Sequence, residues 1–421
     1  MKACISPFKA FGEVIAPPSK SAGHRSLICA AFCDKPVTVY NCGESNDITA
    51  TIEALKTLGA EITRDGSKVT VSPLKRNNRD CVIDCNESGS TARFMIPIAA
   101  ALGTENVTFT GHGRLPERPF DIIADALRQN GVTCSANNLP MTVSGQLKAG
   151  RFEIAGNISS QYISGLLLAL SITEGASEIV LTTPLESKDY VMMTVNELRA
   201  FGAEIEVLDD RFLIKGKPHL EASDRTVEGD WSQAAFHLCL GAVCGDVTVN
   251  GLDINTLQGD SAIVELLKRF GAEITVNNSS VRSQKAELHG ITIDASQIPD
   301  LVPILAVTAA FANGKTTITK AERLRIKESD RLFETALRLK AFGIDVTETA
   351  DGLEIIGGNP KGAEITSAND HRIVMAFSVM AANSVGTTVI DGCEAINKSY
   401  PNFFIDFSSL GGECDVICDR Q

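Results

Sequence analysis

The sequence predicts an α/β protein of the α+β type, built from six repeated βαβαββ units that divide into two three-unit domains. One observation is that a glycine ends an amphipathic stretch six times, at intervals of roughly 70 residues, as in an internal structural repeat. Another is that most of these glycines precede acidic and β-branched residues, which is typical of a left-handed helix cap leading into a strand. The glycines are Gly59, Gly131, Gly202, Gly271, Gly343 and Gly411.

The elements of each repeat are predicted to follow one order: apolar helix, strand, amphipathic helix, and a hairpin of two strands. Turn-forming pairs mark the hairpins in five repeats. These pairs are Asp65-Gly66, Asn137-Asn138, Asp209-Asp210, Asn277-Asn278 and Asp351-Gly352. A strand before each apolar helix completes the unit. We expect the apolar helices to pack inside and the amphipathic helices to cover the outside.

The chain of 421 residues is too long for one hydrophobic core, so two domains are expected. The repeat pattern breaks around residues 225–229. We therefore predict one domain from residues 1–19 and 227–421 and a second from residues 20–226, with two chain crossings. The active site is expected in the cleft between them, a favoured place for ligands.

Composition excludes several classes of protein. The net charge of −13 argues against a nucleic-acid or membrane partner held by a basic surface. The apolar runs are too short to span a bilayer, and the first residues lack a signal region, so a cytoplasmic location is expected. Twelve cysteines occur without a zinc-binding pattern, so no metal is predicted.

Basic residues cluster where helices are predicted to begin. Lys20, Arg25, Arg93 and Arg372 lie in Ser-, Gly- or Asp-containing segments of this kind. These segments are also good helix caps, and capping alone stays an alternative for each of them. A cation is unfavourable at the positive end of a helix unless an anion binds there. The repeated placement therefore indicates small, multiply charged anionic ligands.

Three further segments carry charge in loops or before helices: Glu117-Arg118-Pro119, Arg323-Leu324-Arg325-Ile326-Lys327-Glu328-Ser329-Asp330-Arg331 and Lys398-Ser399-Tyr400-Pro401. A solvated, salt-bridged helix start is the alternative for the second segment. The functional interpretation is an acid–base and anion-binding site.

Together these motifs resemble those of the 5-enolpyruvylshikimate-3-phosphate synthases, in the same order and over nearly the whole chain. The matching segments are Pro18-Ser19-Lys20-Ser21 with Arg25, Ser88-Gly89-Ser90-Thr91-Ala92-Arg93, Glu117-Arg118-Pro119, Ser159-Ser160-Gln161, Pro299-Asp300, Lys327-Glu328-Ser329-Asp330-Arg331 and Asp370-His371-Arg372. The resemblance implies the family's inside-out α/β fold.

The resemblance also implies the family's reaction. The enolpyruvyl group of phosphoenolpyruvate passes to the 5-hydroxyl of shikimate 3-phosphate by addition and elimination, and phosphate is released. The reaction serves chorismate and aromatic amino-acid synthesis, needs no metal or organic cofactor, and is the target of glyphosate. A monomer is expected.

Site residues follow from the resemblance, position by position. The catalytic residues would be Asp300, which accepts the hydroxyl proton, Glu328, which exchanges a proton at the methylene carbon, and Lys20. Shikimate 3-phosphate would contact Lys20, Ser21, Arg25, Ser159, Ser160, Gln161, Ser187, Tyr190, Asp300, Arg323 and Lys327. Phosphoenolpyruvate would contact Lys20, Gly89, Arg118, Gln161, Arg331, Arg372 and Lys398.

Two positions depart from the commoner family pattern. Glu87-Ser88-Gly89 stands where Asn-Ala-Gly is familiar, which bears on the response to glyphosate. Arg323 stands where an Asn commonly contacts the shikimate phosphate.

Three alternatives are weighed. A UDP-N-acetylglucosamine enolpyruvyl transferase would have Lys-Asn near the start and a reactive cysteine in the loop at 111–119, whereas this chain has Lys20-Ser21 and no cysteine there. An RNA 3′-phosphate cyclase favours a more basic surface. A non-enzymatic repeat scaffold would not explain the cations at helix starts.

Overall fold

A computed structural model describes residues 1–76, 79–412 and 414–417. The chain divides into two compact units, Met1–Pro17 with Glu228–Gln421 and Pro18–Val227. Each unit has its own continuous hydrophobic core. No helix in the described ranges is long and apolar enough to cross a membrane.

The helices are α1 Lys20–Ala31, α2 Asn46–Leu58, α3 Gly89–Leu102, α4 Asp121–Gln129, α5 Ser160–Ser171, α6 Lys188–Ala200, α7 Trp231–Cys244, α8 Ile263–Phe270, α9 Val302–Ala309, α10 Arg331–Ala341, α11 His371–Ala382 and α12 Phe403–Ser409. Short 3₁₀ helices lie at Leu115–Glu117, Gly259–Ala262, Pro299–Leu301, Glu322–Ile326 and Cys393–Lys398.

The strands are β1 Lys2–Ile5, β2 Ala10–Ile15, β3 Val37–Tyr40, β4 Ile62–Asp65, β5 Lys68–Val71, β6 Cys81–Asp84, β7 Val107–Thr110, β8 Thr133–Cys134, β9 Met141–Ser144, β10 Arg151–Ile154, β11 Gly175–Leu181, β12 Glu204–Val207, β13 Arg211–Gly216, β14 Arg225–Thr226, β15 Gly245–Asn250, β16 Glu273–Val276, β17 Ser280–Gln284, β18 Thr292–Asp294, β19 Lys315–Thr319, β20 Asp345–Glu348, β21 Leu353–Ile356, β22 Glu364–Thr366, β23 Thr388–Asp391 and β24 Cys414–Ile417.

The strands form six four-stranded sheets of one topology, which confirms the predicted repeat. In the sheet β6-β7-β9-β8, for example, β6 runs parallel to β7, and β9 runs antiparallel to both β7 and β8. A helix connects the two parallel strands, because such strands cannot be joined by a tight turn. Each repeat thus contributes one sheet and two helices.

Three sheets are completed by strands that are distant in sequence. β2 pairs with β15, and β14 pairs with β3, so each supplies the first strand of a repeat whose helices lie elsewhere in the chain. β1 lies between β23 and β24 and takes the place of the second hairpin strand in the sixth repeat. The sixth repeat is therefore closed by the start of the chain.

The predicted glycine caps are confirmed. All six repeat glycines have positive φ, from 76° at Gly202 to 112° at Gly59, a region that L-residues with a Cβ rarely adopt. The five predicted hairpin turns also lie between paired strands, as with β20 and β21 around Asp351-Gly352.

The apolar helices lie inside the units. Every residue of α7, α9 and α11 is buried, whereas α8 buries Ile263, Leu266, Leu267 and Phe270 and exposes Glu265 and Lys268. Strands bury alternate residues, as in the 4-residue β3, so one face of the sheet packs on helices and the other faces water. The sheets lie outside the buried helices, as the inside-out fold requires.

Candidate active site

Several predicted site residues of the unit containing Glu228–Gln421 surround the guanidinium of Arg331. The Arg331 side chain is 2% exposed, and its guanidinium donates to three carboxylates. The distances are 2.7 Å from Nε to Asp370, 2.9 Å from Nη1 to Asp300, and 2.7 Å from Nη2 to Glu328. Such an arrangement uses the planar fork of arginine, which lysine lacks.

Two further cations face Asp300. Nη2 of Arg372 lies 3.4 Å from its carboxylate, Nη1 donates to its backbone carbonyl at 3.0 Å, and Nζ of Lys327 lies 3.7 Å from the carboxylate. Burial by itself would raise the pKa of Asp300, but Arg372, Lys327 and Arg331 outweigh it and hold the pKa well below its usual range. Asp300 is therefore a carboxylate that the surrounding cations make weakly basic.

Local structure explains how Asp300 reaches this cluster. It lies in the 3₁₀ turn Pro299–Leu301, and α9 begins after it with no side-chain cap. Its carboxylate is therefore not used to cap α9. The side chain instead extends to Arg331, the first residue of α10.

Asp370 joins the cluster from the start of α11. It is fully buried, caps the helix by accepting from the backbone N–H of Arg372 at 2.9 Å, and accepts from Ser329 Oγ at 3.0 Å. Burial would raise the pKa of Asp370, but the charge of Arg331 outweighs it and lowers the pKa. The same three acids raise the pKa of Arg331 against the effect of its own burial.

Lys398 and Arg323 lie in two other 3₁₀ segments of this unit. Nζ of Lys398 donates to the carbonyl of Asn369, next to Asp370, at 2.5 Å. Arg323, which replaces the Asn familiar in the resemblance, donates to the carbonyl of Ser296 at 2.6 Å. Both side chains are largely buried, as is that of Arg331, so the solvated interpretation of the segment Arg323–Arg331 is wrong for Arg323 and Arg331.

In the unit Pro18–Val227, the buried Arg25 contacts two other residues that are predicted to bind shikimate 3-phosphate. It donates from Nη1 to the carbonyl of Ser21 at 2.5 Å, from Nη2 to the carbonyl of Tyr190 at 2.9 Å, and from Nε to Thr194 at 2.7 Å. Burial lowers the pKa of Arg25 to about 10. Arg25 therefore links α1 to α6 and holds the backbones of Ser21 and Tyr190 on either side of its guanidinium.

A second basic cluster joins α3 and α5. Arg93 lies between the rings of Phe120 and Tyr162, at 5.1 and 5.3 Å, and donates to Gln161 Oε1 at 3.0 Å. Gln161 Nε2 donates to Ser90 at 2.8 Å. Because Arg93 donates to the amide oxygen of Gln161, the amide nitrogen is the group that faces Ser90 at the start of α3.

Gly89, the first residue of α3, lies against Arg93 and Arg118. A Cβ at Gly89 would lie 2.8 Å from Nη1 of Arg118 and 2.5 Å from Nη1 of Arg93, closer than side-chain carbon atoms can come. The absence of a side chain thus permits both guanidinium groups to approach this helix start. The carboxylate of Glu87, the acidic residue that departs from the familiar pattern, packs on Gly113, whose φ of 55° also favours glycine.

Lys20 is the first residue of α1, and its Nζ lies 2.6 Å from the carboxylate of Asp47 on α2. The carbonyl of Asp47 accepts in turn from Thr91 of α3 at 3.4 Å. Arg25 and Arg93, by contrast, lie in the second turn of their helices rather than at the start. The helix-dipole argument therefore applies to Lys20 and Arg372, and is wrong for Arg25 and Arg93.

The predicted phosphate-binding serines begin helices. Ser159 caps α5, and Ser160 is the first residue of that helix. Ser187 precedes α6 with a left-handed φ of 50°, and it is buried without capping the helix through its side chain. Both segments present backbone N–H groups that suit an anion.

Sequence reasoning missed Asp47 and the roles of Asp370 and Arg93. Asp47 lies in the first turn of α2, a common place for an acid near the positive end of a helix, and nothing local distinguishes it. Asp370 and Arg93 were noted in motifs but not assigned. In the described part of the chain, no group of His, Cys, Asp and Glu is arranged to hold a metal ion.

Comparison with known proteins decides the family. A sequence model of the EPSP synthase (3-phosphoshikimate 1-carboxyvinyltransferase) family matches residues 7–407. The chain is 43% identical to the 3-phosphoshikimate 1-carboxyvinyltransferase of Clostridium novyi (strain NT), covering 98% of each chain. It is 45% identical to that of Clostridium acetobutylicum, covering 97% of each.

The chain belongs to the EPSP synthase family. Solved structures agree with this assignment. The EPSP synthase of Acinetobacter baumannii superposes with a TM-score of 0.83 at 30% identity, covering 99% of this chain and all of that chain. The enolpyruvyl transferase NikO from Streptomyces tendae has a TM-score of 0.81 at 20% identity and shares the fold. The inside-out α/β fold that the motif resemblance implied is thereby confirmed.

Proposed function

We propose that this enzyme transfers the enolpyruvyl group of phosphoenolpyruvate to the 5-hydroxyl of shikimate 3-phosphate and releases inorganic phosphate. The observation that supports this most directly is the buried cluster in which Lys327, Arg331 and Arg372 share the carboxylates of Asp300, Glu328 and Asp370. The anionic groups of a substrate that carries both a carboxylate and a phosphate could replace these protein carboxylates as partners of the buried cations.

We assign phosphoenolpyruvate to cations that both units supply. They are Arg331, Arg372 and Lys398 from one unit, and Lys20 and Arg118, with Gly89 and Gln161, from the other. Shikimate 3-phosphate would bind Ser21, Arg25 and Tyr190 around its ring and the serines at the starts of α5 and α6 around its phosphate. Asp300, Arg323 and Lys327 would complete this second site. A reaction site formed from both units remains part of the proposal.

The chemistry requires balanced proton transfers. Asp300 takes the proton of the 5-hydroxyl while the hydroxyl oxygen bonds to C2 of phosphoenolpyruvate, the C2=C3 π bond opens, and protonated Glu328 delivers a proton to C3. Glu328 then removes a proton from the new methyl group, the C2=C3 bond re-forms, and the C2–O bond to phosphate breaks. The proton held by Asp300 leaves with the phosphate, which restores both carboxyl groups to their starting states. Lys20 neutralises the charge of the leaving phosphate.

Ion pairing in the free enzyme affects this step. Asp300 is a poor proton acceptor while Arg331, Arg372 and Lys327 hold its pKa low. Anionic groups of phosphoenolpyruvate would draw Arg331 and Arg372 away from Asp300. The pKa of Asp300 would then rise, because the charges that depress it are neutralised. Substrate binding would in this way generate the base.

The proposal is tested by incubating the protein with phosphoenolpyruvate and one acceptor at a time, with phosphate release and product mass measured. We expect release with shikimate 3-phosphate and none with UDP-N-acetylglucosamine or an RNA 3′-phosphate. Turnover with UDP-N-acetylglucosamine alone would replace the proposal with the sister reaction. Phosphate release without a condensed product would exclude enolpyruvyl transfer.

A cytoplasmic location, a monomeric state and the lack of a nucleic-acid partner belong to the same proposal. The net charge of −13 supports the last of these. Cell fractionation and light scattering at several protein concentrations test the location and the monomeric state. Binding to a labelled RNA at low salt would argue against the proposed lack of a nucleic-acid partner.

A further inference from the structure

Two consecutive residues before α11 adopt the left-handed backbone conformation. Ala368 has φ 52° and Asn369 has φ 54°. Left-handed geometry is unfavourable for residues with a Cβ, although Asn tolerates it better than most. Across residues 1–76, 79–412 and 414–417, this is the only pair of adjacent non-glycine residues with positive φ. Strain of this kind persists where the surrounding structure requires it.

The turn has direct contacts to one cation of the proposed phosphoenolpyruvate site. The carbonyl of Asn369 accepts from Nζ of Lys398 at 2.5 Å. The N–H of Asn369 donates to Ser367 Oγ at 3.1 Å, and the N–H of Asp370 donates to the carbonyl of Ser367 at 3.0 Å. These bonds fix the direction of the Asn369 carbonyl, and through it the place of the ammonium group.

The next residue reaches two more cations. Asp370 accepts from Arg331 through its side chain, and it caps the backbone N–H of Arg372. Lys398 and Arg331 lie in two other segments of the chain and contact Asn369 or Asp370 through their side chains, whereas Arg372 contacts Asp370 through its own backbone N–H. A change in the backbone at Asn369 would therefore disturb the contacts of all three cations.

We propose that the left-handed turn at Ala368 and Asn369 is a positioning element that sets Lys398, Arg331 and Arg372 at the spacing phosphoenolpyruvate needs. This inference rests on the proposed function and adds to it a residue, Asn369, that acts through its backbone. Asn369 itself is not assigned a contact with substrate. A turn that serves only to begin α11 would affect stability alone, so the two roles are distinguishable.

The test is a graded series at the exposed position Asn369. Glycine adopts φ near +54° freely, alanine with difficulty, and a β-branched valine hardly at all. We expect Asn369→Gly to keep the KM for phosphoenolpyruvate within about 2-fold, and Asn369→Val to raise it about 10-fold or more, with Asn369→Ala between them. The dissociation constant for shikimate 3-phosphate alone should stay within about 2-fold throughout. If Asn369→Val does not fold, the ratio of the KM for phosphoenolpyruvate in Asn369→Ala to that in Asn369→Gly tests the inference instead, and a ratio near 1 would overturn it.

Asn41 provides the matched control, because it is also an exposed asparagine with φ 53° and lies outside the proposed site. Asn41→Val should lower the Tm without a selective rise in the KM for phosphoenolpyruvate. An unchanged KM in Asn369→Val despite a lowered Tm would overturn the inference, as would equal damage from glycine and valine. Absence of turnover in the unmodified enzyme would instead refute the proposed function, and this inference with it.

Discussion

Arg331 donates from Nη1 to the carboxylate of Asp300 over 2.9 Å, so the proposed substrate clamp and the proposed base are partners before any substrate binds. The pair lies among other buried charges, so breaking this contact leaves each partner with fewer compensating charges in a site largely shielded from water. In the free enzyme, the proposed base Asp300 and the proposed phosphoenolpyruvate-binding residue Arg331 thus neutralise each other's charge. Several predictions about catalysis depend on this arrangement.

We expect Asp300→Ala to lower turnover about 10²-fold or more, because the variant lacks the carboxylate that is proposed to accept the hydroxyl proton. A purely structural role in the ion-pair cluster would instead lower stability and leave turnover nearly intact. Steady-state kinetics and thermal unfolding of Asp300→Ala and Asp300→Asn separate the two. Near-normal turnover in Asp300→Asn, which keeps the size but not the basicity, would rule out the proton-acceptor role.

Arg→Lys substitution at Arg118, Arg331 or Arg372 should weaken the use of phosphoenolpyruvate strongly and leave binding of shikimate 3-phosphate nearly intact. The planar fork of arginine binds two oxygens of an anion at once, and lysine cannot reproduce it. Titration of shikimate 3-phosphate into each variant, followed by turnover against phosphoenolpyruvate concentration, measures both effects.

Arg282 supplies the control for these substitutions. It forms a two-point contact with Asp246 at 2.8 and 2.5 Å, but it is 46% exposed. Exposed pairs of this kind contribute about 0–1 kcal/mol, so Arg282→Lys should change neither binding nor turnover. Equal weakening of both substrates in the site variants would contradict their assignment to phosphoenolpyruvate.

Asp47→Asn should reduce kcat/KM about 10-fold by releasing the ammonium of Lys20, which Asp47 holds at 2.6 Å. Asparagine keeps the shape of the side chain but not its charge. Glu53→Gln on the same helix removes the acid from the exposed Lys56 pair at 2.8 Å and should have no effect. Equal kinetics in the two variants would exclude a positioning role for Asp47.

Stability should fall in mild acid because of the buried His237. Burial lowers the pKa of His237 from 6.5 to about 4. Between pH 6.5 and about pH 4, His237 is protonated in the unfolded chain but stays neutral in the folded chain. The free energy of unfolding therefore decreases as the pH falls through this range. The loss attributable to His237 should reach about 2 kcal/mol at pH 5.

The measurement compares urea unfolding at pH 7 and pH 5 for the unmodified protein and for His237→Phe. Phenylalanine can keep the stacking of this ring on Phe403, and the hydroxyl of Tyr400 still donates to Asp406. The variant should lose less stability between the two pH values. Replacement of the exposed His219 by Gln should leave the pH dependence unchanged, and an identical pH dependence in His237→Phe would refute the prediction.

The repeat and its caps were predictable from the sequence because they are local properties. A positive φ at Gly59 or Gly271 depends on the missing Cβ and on the helix that precedes it. Hairpin turns and helix periodicity likewise depend on residues a few positions apart. The candidate substrate residues came from the resemblance of short motifs, and the structure brings Asp300, Glu328, Arg331 and Arg372 into one cluster.

Only the tertiary structure decided which strands complete the first, fourth and sixth repeats and which charges neutralise one another. β1 pairs with β24 across nearly the whole chain, and no local pattern marks so distant a partner. Asp47 resembles any acid in a first helical turn until its distance to Lys20 is known. The sequence marks Arg25 and Arg93 as cations near helix starts, but only the packing of the helices shows that they contact Tyr190 and Gln161. Sequence determines local conformation over a few residues, whereas charge pairing depends on distances in space that the assembled core alone sets.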